Sequence, residues 1–168
     1  MDLKKGKQVL AGVACSAVLL SALAVPAFAE AHVLSWNLVD SGKHLDYDGD
    51  SKYMGFISTG ASIWNGYKSG VIRQDSWLVI EDVYVTDINK ANGYTGLTYA
   101  SGKIELNTYY LDDDTAAQKT ETCTHELGHA LGLDHCPSKE DIMYASQTSV
   151  NKLSQNDKDS YDEAYKNY

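Results

Sequence analysis

The stretch HELGHALGLDH, residues 125–135, puts three histidines within eleven residues, and the third cannot join the other two on one helix. His125 and His129 are four apart, so an α-helix places them on one face about 6 Å apart along its axis. His135 lies six residues past His129, roughly 9 Å further on if the helix continued, which is too far for one small ion to touch all three. The chain must therefore turn back before residue 135. Gly132 stands where the break is needed, since glycine takes the left-handed conformation of a helix C-cap without steric cost. The stretch reads as helix, glycine stop and return.

Working outward, 168 residues suit one domain with a single core. Lys4, Lys5 and Lys7 precede an apolar run from Val9 to Val25, and Ala27-Phe28-Ala29 offers a small-x-small cleavage site. This pattern predicts a secretory signal peptide over residues 1–29 and a secreted domain over 30–168 without stable membrane association. An uncleaved anchor is disfavoured, because the run is slightly short for a membrane span and is followed by Pro26 and the cleavage pattern. Three lysines and Asp2 leave with the signal, so the 14 basic and 23 acidic residues become 11 and 22, a formal charge of −11. Such a balance argues against nucleic acid and anionic membrane as partners. Cys15 also leaves. Cys123 and Cys136 remain, and an even count in an exported chain predicts a disulfide tying the returning segment to the histidine helix.

No repeat, Pro-rich linker or low-complexity tail divides the rest. His32 to Val39 and Trp77 to Thr86 read as strands, the second apolar enough for a central position. Met54, Ile57, Ala61 and Trp64 recur at helical spacing, predicting a helix over Tyr53 to Tyr67. Leu97 to Ala100 and Lys103 to Tyr110 read as a hairpin around Ser101-Gly102. Thr115 and Gln118 form a capping box that opens a long helix reaching Leu131, with Asp112 to Asp114 at its positive end. Leu153-Ser154-Gln155-Asn156-Asp157 signals a last helix carrying Tyr161, Tyr165 and Tyr168 on one stripe.

Neutral imidazoles at i, i+4 and a return position make a three-nitrogen zinc site with its fourth tetrahedral position open, as catalysis requires. Water held there has its pKa lowered to about 7 and becomes a nucleophile at neutral pH. Glu126 is rotated about 100° from His125, so it misses the ligand face yet can reach such a water as general base. A bare H-E-x-x-H also arises by chance on solvated helix faces. That reading leaves unexplained Gly132 at the break, His135 at the return and Ile142-Met143-Tyr144 beyond it. His32 and His44 carry no comparable pattern. Asp46-Tyr47-Asp48-Gly49-Asp50 has the alternating oxygens of a calcium loop, but no bidentate Glu follows at EF-hand spacing, so a solvated turn is favoured and calcium is weakly supported.

HELGHALGLDH followed by DIMY at 141–144 resembles the metzincin metallopeptidases, with H-E-x-x-H-x-x-G-x-x-H and a Met-turn, and the matrixin family is nearest. Gly96 to Ala100 and Leu153 to Asp157 extend the likeness. The resemblance implies an α+β fold: a twisted mixed β-sheet with an active-site helix, Met-turn and C-terminal helix. It implies a secreted zinc endopeptidase using a zinc-bound water, with His125, His129 and His135 as ligands of one catalytic zinc, Glu126 as general base and Met143 as hydrophobic floor. A monomer would bind protein or peptide substrate in extended conformation along an edge strand, Lys103 to Tyr110. Some positions depart from the family. Tyr99 replaces a histidine of the second, structural zinc of animal matrixins, so one zinc is expected. Propeptide cysteine, and with it a cysteine switch, is not expected between signal and domain. Ala145 stands two past Met143, where astacins and serralysins have a tyrosine ligand, and Tyr144-Ala145-Ser146 lacks the matrixin pocket-wall proline. Cys136 after the third histidine also resembles archaemetzincins, but Asp141 stands where their next cysteine would fall. Two other readings are a secreted zinc-binding effector and a zinc hydrolase of non-peptide substrates. Glu126 argues against the first, because a structural site has no use for a base beside an open metal position.

Overall fold

The computed structural model describes residues 30–75 and 80–168. The expected signal segment lies outside these residues, as do positions 77–79 of the strand expected from Trp77. The elements are β1 (Leu45–Gly49), α1 (Met54–Asn65), β2 (Ile72–Gln74), β3 (Val83–Ile88), β4 (Gly96–Tyr99), β5 (Lys103–Asn107), α2 (Thr108–Leu111), α3 (Ala116–Ala130) and α4 (Gln155–Tyr165). Five strands form one sheet in the order β2-β1-β3-β5-β4, parallel except for β4. A mixed sheet with helices is the α+β class that the resemblance implied.

Alternation explains the strands. Leu45 and Tyr47, Val83 and Val85, and Ile104 and Leu106 are buried, two residues apart on β1, β3 and β5. Helix α1 packs against α3 through Ile57, Ala61 and Trp64, as their spacing predicted. The Trp64 indole N–H donates to the Thr124 carbonyl at 2.8 Å and its ring meets Tyr161 edge-on at 5.4 Å. Tyr161, Tyr165 and Tyr168 continue that contact as a run of edge-on aromatic pairs. The Thr115–Gln118 capping box forms, so α3 starts where the sequence signalled.

Four expectations are corrected. His32 to Val39 is no strand: it makes one antiparallel bridge, Val33 to Leu133, because its partner is the irregular chain after α3 and a ladder cannot extend. Asp46 to Asp50 is neither a solvated turn nor a calcium loop over most of its length. Leu45–Gly49 is a sheet strand, in which buried Asp46 receives Arg73 bidentately, Nε at 2.8 Å and Nη2 at 2.6 Å. The sheet edge is β4, not Lys103 to Tyr110. Strand β5 is covered by β3 on one side and β4 on the other, and Thr108–Leu111 turns into a helix.

Finally, Cys123 and Cys136 are free thiols. Cys123 is fully buried within α3, whereas the Cys136 sulfur lies 3.7 Å from Ser160 Oγ on α4. They sit against different elements, so no bond closes between them. Burial pushes both thiols up, Cys136 to about 12, which leaves them protonated and unreactive. Thiol titration of the denatured, unreduced chain spanning residues 30–168 should therefore find both reactive, and reductant should leave its melting temperature unchanged.

Candidate active site

The end of α3 builds the return that His135 needs. Gly132 has φ +88°. Its N–H donates to His129 O at 2.9 Å, and the Leu133 N–H reaches back to Gly128 O at 3.0 Å. These are the paired bonds of a Schellman stop, which satisfies terminal carbonyls while reversing the chain. The N-terminal segment secures the reversal: Leu34 N donates to Gly132 O at 2.8 Å and Asp134 N to His32 O at 2.9 Å.

His125, His129 and His135 come together, with one ring nitrogen from each lying within 4.8 Å of the others. Two of the rings have fixed tautomers. His125 Nδ1 lies 2.8 Å from Ile142 O and His129 Nδ1 2.9 Å from Leu133 O. A carbonyl only accepts, so both Nδ1 atoms carry the proton and both Nε2 lone pairs are free. Burial, with the neighbouring rings, holds His125 down to about 3 and lowers His129, so both stay neutral. Three converging ring nitrogens, two of them on rings whose orientation is locked, fit a zinc ion. Among the described residues, Asp40, Asp46 and Asp82 also converge, but Arg73 already engages both oxygens of Asp46.

Glu126, 5% exposed, turns its carboxylate towards β4. Thr98 Oγ1 lies 2.6 Å from Glu126 Oε2 and 2.9 Å from its main-chain oxygen. Burial pushes this carboxyl up to about 7, against the Thr98 hydrogen bonds that lower it. Gly96, two residues earlier on the same face of β4, allows the approach: a Cβ there would stand 2.7 Å from both Glu126 Cγ and Oε1.

The Met-turn is held from α4. Asp157, fully buried, accepts from the Ile142 and Met143 N–H groups at 2.9 and 3.0 Å and from Ser154 N at 2.9 Å, within the cap of α4. The Cys136 N–H donates to Met143 O at 2.7 Å, linking the His135 segment to the same turn. Met143 is buried, with its sulfur against Gly128.

These groups open on a cleft of about 370 Å³ between Gly93–Leu97 on one side and Tyr144–Gln147 on the other, with α3 as its floor. Sequence reasoning placed the histidines, Glu126, Gly132 and Met143 but missed Thr98, Asp157 and Asn107. Asn107 Nδ2 approaches Lys90 O, Asn92 Oδ1 and Tyr94 O at 2.7–2.9 Å, fixing the loop that enters the cleft wall. No local pattern marks Thr98 or Asn107, whereas Asp157 showed only as a helix cap.

The matrixin family model matches residues 31–166. The chain belongs to the matrixin family. This matrixin is a zinc metallopeptidase, a hydrolase, and its three converging histidines fit the family's catalytic zinc. No curated protein matches it. Among solved structures, an archaemetzincin from Methanopyrus kandleri is similar in fold, with TM-score 0.54 and 17% identity over 76% of this chain and 99% of that one. High choriolytic enzyme 1, a hatching-enzyme zinc-protease from the medaka Oryzias latipes, aligns at TM-score 0.39 and 22% identity over 60% of this chain and 50% of that one.

Two substitutions probe the matrixin's framework. Asp157→Ala strands buried N–H donors of the Met-turn, so stability should fall by about 2–4 kcal/mol in urea unfolding. Because Ile142 O fixes His125, zinc affinity against a competing chelator should fall as well. Gly96→Ala should displace the Glu126 carboxylate rather than unfold the chain. We expect kcat/KM to drop at least about tenfold while the urea midpoint moves little.

Proposed function

We propose that this matrixin is a secreted, monomeric endopeptidase in which Glu126 is the general base and His125, His129 and His135 are the zinc ligands. The carrying observation is the convergence of three histidine nitrogens beside a buried carboxylate that lines an open cleft along a sheet edge. Among the described residues strand β4 pairs with β5 alone, which leaves its outer edge for an extended peptide as an added strand. Secretion is proposed from the signal pattern over residues 1–29.

A bound zinc ion would supply Lewis acidity for the scissile carbonyl and for the attacking water. The chain's own groups do the rest. The Ile142 and Leu133 carbonyls hold His125 and His129 in their Nδ1-protonated form, directing both Nε2 atoms at the metal. Glu126 takes a proton from the attacking water and returns it to the leaving amine nitrogen. Thr98 restrains that carboxylate by donating to Oε2, and Gly96 leaves room for it against the edge strand. A purely structural zinc site would need neither a base nor the cleft, so the effector reading has less support.

Glu126→Ala removes the base and keeps the ligands. The variant should bind zinc one to one like the wild type and lose peptidase activity by about two to four orders of magnitude. Metal analysis alongside cleavage of a mixed peptide library, with and without chelator, checks both. Wild-type turnover by the variant would overturn the role of Glu126.

A further inference from the structure

We propose that Glu121 makes the cleft selective for a lysine or arginine side chain adjoining the scissile bond. This names the substrate class for the peptidase reading above and rests on it. Glu121, His125 and His129 stand at i, i+4 and i+8 on α3, so the Glu121 carboxylate lies on the metal face, one helical turn before His125. It lines the same cleft as the histidines, beside Thr122, which accepts from Gln147 Nε2 at 3.0 Å on the Tyr144–Gln147 wall. A peptide laid along β4 with its scissile bond over the histidines would direct a neighbouring side chain into that space. The length of a lysine or arginine stem matches the one-turn offset of about 6 Å.

The electrostatics choose the occupant. Glu121 is 1% exposed, yet none of the ion pairs among the described residues involves it. Among the described residues, no lysine or arginine lines the cleft. Asp114 and Glu126 add to the negative potential at Glu121, and among the described residues Thr148 offers it hydrogen-bond donors. Burial accordingly pushes the Glu121 carboxyl up to about 7. A buried carboxylate without a counter-ion is costly, and an arriving ammonium or guanidinium supplies that counter-ion and favours the ionised form. An apolar side chain would desolvate Glu121 further and pair nothing. The excess of acid over base in the whole chain also draws cationic peptides towards the cleft.

The test compares zinc-loaded protein on paired peptides that differ only in lysine against methionine at either position flanking the cleaved bond, two side chains of similar length and different charge. The wild type should favour lysine at one flanking position by at least about tenfold in kcat/KM, the scale of a charge-assisted hydrogen bond. In Glu121→Gln the ratio should collapse towards one, and Glu121→Lys should favour glutamate at that position. A parallel readout is the Kd of the Glu126→Ala protein for the uncleaved peptides, which should show the same lysine preference without turnover. A wild-type ratio near one, or a ratio unchanged in Glu121→Gln, would overturn the proposal, and the wild-type ratio decides it even if a variant fails to fold. Chelator-insensitive or absent cleavage of every peptide would overturn the peptidase reading instead, while the binding ratio still judges Glu121.

Discussion

Two hydrogen bonds from imidazole to main chain govern this site. His125 and His129 each donate Nδ1–H to a carbonyl, of Ile142 and Leu133 respectively, and those carbonyls flank His135 in sequence. The segment that delivers the third histidine therefore also fixes the ring orientation of the other two. The arrangement is an unusually tight dependence of side-chain chemistry on backbone path: any shift of residues 133–142 moves all three nitrogens together.

That path is secured at both ends. At its start, the Schellman stop at Gly132 satisfies the last α3 carbonyls, and the chain around His32 and Leu34 bonds to the returning loop. At its end, Asp157 presents two carboxylate oxygens to the N–H groups of Ile142, Met143 and Ser154. A fully buried carboxylate is costly unless its lone pairs are filled, and here main-chain donors fill them. One acidic side chain thereby couples the cap of α4 to the Met-turn, and through Ile142 O to His125.

The opposite wall works by close approach. Strand β4 passes so near α3 that Gly96 has no room for a Cβ and Thr98 reaches both oxygen types of Glu126. The distance between the sheet edge and the helix sets the position of the carboxylate and the width of the cleft. Asn107, at the end of β5, keeps the preceding loop in register by bonding three of its acceptors. A packed interior transmits such spacing with little slack.

The sequence by itself determined the histidine helix, its cap at Thr115, the stop at Gly132 and the three-histidine set, because each follows from local rules: helical period, capping chemistry and the conformational freedom of glycine. Helix α1 and the β4–β5 hairpin were legible for the same reason. Tertiary structure alone decided what depends on partners distant in the chain. Asp46 looks like part of a turn until Arg73 pairs with it on the neighbouring strand. Strand order, and hence which strand is the open edge, follows from packing of parallel strands whose sequences do not name their neighbours. Cys123 and Cys136 are close in sequence and of a suitable count, yet α3 buries one in its own packing and the return carries the other to Ser160, so both stay free. Local pattern specifies conformation; contact between distant segments is settled by the geometry of the whole core.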